Sequence, residues 1–298
     1  MQDLDGNIGY RVALAAFALL TVTLASRPDA ADANIFSHDD RRDIVATDEL
    51  SGVGTIVCAG TTRRPTASLV GLPGRHRPPP YDVIATVSHA FIGANEQRLT
   101  SCEFWPQANA ALAAKIIFLE AGTLSPDGDW NNDWAVAVLD RRLPENLIRL
   151  VPRVLDDKEA GGKRAKDAHF MMAGHNGERG PLQVSEGCGP VGKSYSDLNG
   201  FDGRVFNHDC DMMPGWSGGP LILREGGINY LVAVNSTEVN AITHISGRPY
   251  DGRMNPNTAV RVDGRFEKAM TEILRHGAPG TPVKCLVASM DENPPLPC

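Results

Sequence analysis

The sequence predicts an all-β protein with one helix near its end. Short apolar runs rich in Val and Ile recur along the chain, separated by Gly, Pro, Asn and Asp, as in a sandwich or barrel of short strands. Gly (30) and Pro (21) are plentiful while aromatic residues make up 6%, which suits many turns better than a helical bundle. No helical pattern of useful length alternates with the strands, which counts against a parallel α/β fold.

The candidate strands follow in order. "GTIVCAG" starts at Gly54, "DVIATV" at Asp82, "KIIFLEAG" at Lys115 and "WAVAVLD" at Trp134. "HFMMAG" starts at His169, "LQVSEGC" at Leu182, "GRVFNHDC" at Gly203, "PLILREGG" at Pro220 and "INYLVAVNS" at Ile228. Between the two groups a charged stretch from Asp140 reads as a crossing between two halves. Pro65 to Pro80 reads as a loop. In "GRFEKAMTEILRHG", Phe266, Met270, Ile273 and Leu274 share one helical face, and Gly277 stands where a stop belongs. The boundaries expected are 1–33 signal peptide, 34–140 first half, 141–167 crossing, 168–277 second half with the helix, and 278–298 Pro-rich tail.

The chain has 298 residues, enough for a substantial core, and a formal net charge of −7. That charge argues against nucleic acid as a partner, because phosphate binding needs a basic face. Val12 to Ala25 is an uncharged apolar run, too short for a comfortable membrane span and suited to the core of a signal peptide. Ala31-Asp32-Ala33 offers a small-x-small cleavage point. The opening "MQDLDGNIGYR" departs from the pattern, with one Arg against two Asp; a misplaced start codon would account for it. The expectation is a secreted or periplasmic monomer that does not engage the membrane once the signal is removed.

Export permits disulfides. Cys58, Cys102, Cys188, Cys210, Cys285 and Cys298 form no Cys-x-x-Cys pair and have no His at ligand spacing, so no metal is expected. Spacing does not choose among their pairings; the simplest joins neighbours, Cys58 with Cys102, Cys188 with Cys210 and Cys285 with Cys298.

"CDMMPGWSGGPLI", from Cys210, sets one Ser among Gly and Pro and then enters an apolar run. Gly215 to Gly219 satisfies Gly-x-Ser-x-Gly. In an α/β-hydrolase a helix follows that Ser, with the acid and the His later in the chain. Here a strand follows at once and little chain remains. The other reading has the N–H groups of Gly215 and Ser217 forming an oxyanion hole beside the hydroxyl. A Ser hydroxyl needs a base to become a nucleophile, so a His and an orienting carboxylate belong upstream. His89 ends the apolar run of "DVIATVSHAF", and Asp133 precedes the run from Trp134. Either one alone is more often a strand cap or a turn former; the order His89, Asp133, Ser217 gives them weight.

"TVSHAF", "NDWAVAVL" and "CDMMPGWSGGPLI" together resemble the His, Asp and Ser motifs of the chymotrypsin-like serine peptidases. Further stretches, "IFSHDDRRDIV" and "FMMAGHNGERGPLQVSEGC", are most like the bacterial glutamyl-endopeptidase-like branch, and the resemblance covers roughly residues 35–276. It implies two antiparallel six-stranded β-barrels of the chymotrypsin type with a C-terminal helix and the site in the cleft between them. It also implies a secreted serine endopeptidase acting on protein or peptide substrates, without a cofactor. Ser217 is then the nucleophile, His89 the general base, Asp133 its orienting partner, and Gly215 and Ser217 the oxyanion hole. A non-catalytic homologue that keeps the barrels for binding is the rival class.

The departures are specific. Trp216 stands where animal enzymes carry the Asp that receives a freed N-terminus. The Cys beside the catalytic His is missing, which leaves Cys58 available for Cys102. Asp211, six positions before Ser217, occupies the place of the pocket acid of trypsin-like enzymes. It reads either Arg and Lys side chains or only holds its loop. Asn235 stands where the glutamyl branch has a pocket His, which argues against glutamyl specificity, and Ser236 is expected to line the pocket and support the Asp-His pair. His169, His175 and His208 are expected in loops or on the surface.

Overall fold

The computed structural model describes residues 35–44, 49–73, 80–93, 96–126, 129–164, 169–177, 180–192, 202–238, 256–276 and 286–287. The expected signal peptide, the Cys285–Cys298 pair and most of the Pro-rich tail lie outside the described residues. Among those residues, no helix is long and apolar enough to cross a membrane.

After a two-residue strand, β1 (Arg42–Asp43), six antiparallel strands form a closed barrel: β2 (Val53–Cys58), β3 (Thr66–Val70), β4 (Val83–Thr86), β5 (Cys102–Pro106), β6 (Ala114–Ala121) and β7 (Ala135–Leu139). Their order is β6-β5-β2-β3-β4-β7, and β6 pairs with β7 to complete the circle. Cys58 and Cys102 face each other in register on β2 and β5 and are disulfide-bonded. The segment expected as a loop over Pro65 to Pro80 contains β3, whose five residues are all buried. The flanking prolines and arginines mask a strand that pairs on both sides.

The crossing also carries structure. It contains β8 (Val151–Pro152) and a helix, α1 (Asp157–Arg164). Asp82, just before β4, is buried and clamps the crossing. Its carboxylate accepts from Arg149 Nε and Nη2, both at 2.8 Å, and from the Leu143 N–H at 2.7 Å.

The second sheet comprises β9 (His169–His175), β10 (Leu182–Glu186), β11 (Pro190–Val191), β12 (Val205–His208), β13 (Pro220–Glu225), β14 (Ile228–Glu238) and β15 (Asn257–Arg261), with β1 and β8 added at its margins. Its path, β1-β10-β9-β13-β14-β15-β12-β11, does not close by hydrogen bonding among the described residues. The described strands thus form a nine-stranded second sheet, while closure is seen for the first barrel. One strand of this sheet is interrupted. β10 pairs with β9, but the chain kinks at Gly187 (φ 72°) and Gly189 (φ 153°) before β11 joins β12. Those left-handed angles suit Gly and interrupt the ladder. The Cys188–Cys210 disulfide holds the kink.

The last described helix, α2 (Gly264–His276), follows the second sheet but packs on β4 and β7 of the first barrel. Phe266, Met270, Ile273 and Leu274 are buried, as the periodicity predicts, and Phe266 stacks on Trp134 with ring centroids 5.1 Å apart. β4 and β7 are thus covered on both faces, which is why "VIAT" and "AVAVL" are buried at every position rather than alternately. A short strand, β16 (Leu286–Val287), pairs with β6.

Removing the Asp82 carboxylate would leave the Arg149 guanidinium largely buried beside apolar strands. Breaking such a pair costs about 3–5 kcal/mol. Asp82→Ala should lower the unfolding free energy by about that amount, measured by urea denaturation followed by tryptophan fluorescence.

Candidate active site

Three chain segments meet around His89, two of them lining a cavity. The first is a 3₁₀ turn, Ser88–Phe91, that β4 enters at its end; it carries His89. The second is a 3₁₀ turn, Trp130–Asn132, that delivers Asp133 at the start of β7. The third is the turn between β12 and β13 that holds Ser217. A cavity of about 380 Å³ is lined by Arg63, Arg64, Pro65, His89, Ala90, Gly177, Pro214, Gly215 and Ser217.

Asp133 is fully buried and collects four hydrogen bonds. Its Oδ2 is 2.7 Å from His89 Nδ1 and accepts from Ser236 Oγ at 2.7 Å. Its Oδ1 accepts from Ser88 Oγ at 2.7 Å and from the His89 N–H at 3.0 Å. Burial works to raise its pKa. The charge of His89 and the hydrogen bonds from His89, Ser88 and Ser236 overcome that, so the carboxyl lies below the ordinary aspartate range. Trp130 meets the His89 ring edge-on, 6.3 Å between centroids.

The Ser217 turn is fixed from both sheets. Thr66 of β3 donates its Oγ1 to Gly215 O at 2.7 Å and its N–H to Ser217 O at 2.8 Å. On the other side the Gly218 N–H donates to Asn235 O at 2.7 Å, and Asn235 Nδ2 donates to Trp216 O at 3.1 Å. Gly218 has φ +81°, and a Cβ there would stand 2.2 Å from Thr66 O and 2.1 Å from Thr86 Oγ1. Only Gly fits between the Ser217 turn and the barrel.

Two histidines expected in loops or on the surface are buried. His208 lies at 0% exposure on β12. The Cys210 N–H donates to its Nδ1 at 3.3 Å, so Nε2 carries the proton and donates to Asn235 Oδ1 at 3.0 Å. Burial pushes its pKa down to about 4. His175 closes β9 at 2% exposure; its Nδ1 lies 2.8 Å from Gly177 O, and burial lowers its pKa. Their apolar neighbours along the strands, rather than the turns beside them, decide their burial. His169 is exposed at the start of β9.

Asp211 is buried, and both its oxygens meet the N-terminal segment. Oδ1 accepts the Phe36 N–H at 2.7 Å and Oδ2 the Asp40 N–H at 3.0 Å. Asp211, Asn235 and Ser236 do not line the 380 Å³ cavity. Of the residues above, sequence reasoning did not single out Ser88 or Thr66. A hydroxyl next to the motif His was a usable signal for Ser88. Thr66 had none, since its partner turn is far along the chain.

With one closed barrel, a second antiparallel sheet and a helix returning to the first, the chain has the chymotrypsin-like protease fold. Two solved structures with that arrangement are similar to it. A Glu endopeptidase in complex with MPD matches with a TM-score of 0.58 at 13% identity, over 80% of this chain and 97% of that one. The protease Anisep from Arthrobacter nicotinovorans matches with a TM-score of 0.54 at 14% identity, over 78% and 99%. No protein-family model matches the chain, and no curated protein sequence matches it.

The contacts of Asp211 set a pH dependence. Burial, opposed by the two N–H groups and reinforced by the charges of Asp40 and Asp39, raises its pKa from 3.8 to about 6. The folded state therefore holds this proton more tightly than the unfolded chain. The group favours folding below its ordinary pKa, and that advantage is lost as pH rises through about 6. The Tm of Asp211→Asn should gain on that of the native protein between about pH 4 and pH 7, measured by thermal melts across that range.

Proposed function

We propose that the protein is a secreted serine endopeptidase that cuts peptide bonds through an acyl-enzyme intermediate. The observation that carries this reading is the convergence of His89, Asp133 and Ser217, from three separate segments, with Asp133 and His89 Nδ1 2.7 Å apart and His89 and Ser217 lining one cavity. The shared fold with two proteases supports it. Two disulfides support an oxidising compartment, in line with a signal peptide over 1–33.

In this reading Ser217 Oγ attacks the scissile carbonyl carbon while His89 Nε2 takes its proton. Asp133 keeps the other imidazole nitrogen protonated and stabilises the imidazolium. The N–H groups of Gly215 and Ser217 stabilise the oxyanion. The imidazolium then protonates the leaving amine, and water, activated by the same His, releases the acyl group. Ser217→Ala and His89→Ala should each lower kcat on the order of 10⁴–10⁶-fold, with the double variant little worse, because the residues act as a unit. Labelling of Ser217 by a fluorophosphonate, read by peptide mass spectrometry, tests the nucleophile directly.

Asn235 and Ser236 are assigned to the pocket for the side chain before the cut. A basic preference there would require an available Asp211 charge. The two N–H groups that Asp211 accepts support the other role, holding the N-terminal segment, with a pocket that favours small or apolar side chains. Asp211→Ser should then reduce kcat/KM equally for paired Arg and Leu substrates.

A further inference from the structure

The cavity beside Ser217 carries positive charge that the chemistry above does not use. Arg63 and Arg64 line it, and among the described residues no acidic one does. The chain as a whole is acidic, at −7, and elsewhere Arg149, Arg153, Arg164 and Arg204 each hold a carboxylate. Among the described residues Arg63 and Arg64 hold none. Arg63 Nη2 donates to His89 O at 3.1 Å and to Ile92 O. Arg64 Nη1 donates to Thr61 O at 3.2 Å and to Arg63 O at 3.0 Å. A carbonyl fixes a guanidinium without neutralising it, and a guanidinium has further N–H donors to offer. Among the described residues, two cations are thus held in place at the wall of the cavity with no carboxylate partner.

The side of the scissile bond follows from the chemistry. His89 must reach the leaving amine, so the substrate chain after the cut passes beside the imidazole. His89, Ala90 and Arg63 to Pro65 line the cavity, whereas Asp211, Asn235 and Ser236, assigned to the opposite side, do not.

We infer that Arg63 and Arg64 select substrates with Asp or Glu at the first or second position after the cleaved bond. The inference rests on the peptidase reading. A carboxylate entering this cavity meets guanidinium groups already tethered, so little side-chain freedom is lost on binding. Arg63 is exposed, so the preference is moderate and weakens with salt.

The test compares kcat/KM for peptides that share one acyl half and differ only at the two positions after the cut. Asp and Glu should exceed Asn and Gln by about tenfold at low ionic strength, the equivalent of about 1.4 kcal/mol, and the ratio should shrink in about 0.5 M NaCl. Arg64→Gln and Arg63→Gln should bring the ratio toward one, and Arg64→Lys should keep part of it. Arg63 also tethers the His89 turn, so its variant is read by the ratio and not by the absolute rate. A second arm needs no variant: the acyl-enzyme should be captured by added aspartate amide in preference to asparagine amide. Equal handling of acidic and neutral groups in both arms overturns the inference and leaves the peptidase reading intact. Absence of any cleavage, with no fluorophosphonate adduct on Ser217, overturns both.

Discussion

The buried carboxylate of Asp133 is the interaction on which the rest of the site depends. An ionised group with no exposure to solvent is unfavourable unless its lone pairs are filled. Here four donors fill them, from the Ser88-His89 turn of the first barrel and from Ser236 on the second sheet. The charge cannot be satisfied by either sheet alone. Its stabilisation therefore requires the two sheets to meet in one register, and that same register orients the imidazole toward the cavity.

The Ser217 turn repeats this logic with neutral groups. Thr66 from the first barrel and Asn235 from the second sheet grip it from opposite sides, and Gly218 gives the backbone room to pass between them. His89, Asp133 and Ser217 sit on or beside short turns, and the Ser217 turn is bonded to strands on both sides. Loops positioned by a rigid scaffold are where chemistry is usually found.

Much of this was legible in the sequence, for identifiable reasons. The apolar runs located nine strands, because a strand buried on both faces announces itself as a continuous Val/Ile run. β3, β5 and β15 escaped, because "TASLV" lies beside Pro and Arg, while "CEFWP" and "NTAVR" mix polar residues with apolar ones. The late helix was readable from its periodicity, but not its partner, which is the far barrel. Sequence order suggested His89, Asp133 and Ser217. The sequence pattern ended the strand from Leu182 at Cys188, and two Gly residues at positive φ flank that Cys where the ladder breaks before β11. The destination of the Asp211 carboxylate, a segment more than 170 residues earlier, has no local signature at all.

The return of α2 to the first barrel has a consequence for biosynthesis. Phe266 and Met270 are the cover for β4 and β7, and Trp134 has its ring partner only when that helix docks. A ribosome delivers the first barrel long before it delivers the helix. Until residue 276 has emerged, the barrel keeps an apolar wall open to water, and that wall includes β4 and β7, the strands next in sequence to the turns bearing His89 and Asp133. The site between the two sheets thus takes its packed form only after α2 has docked, late in the order of the chain.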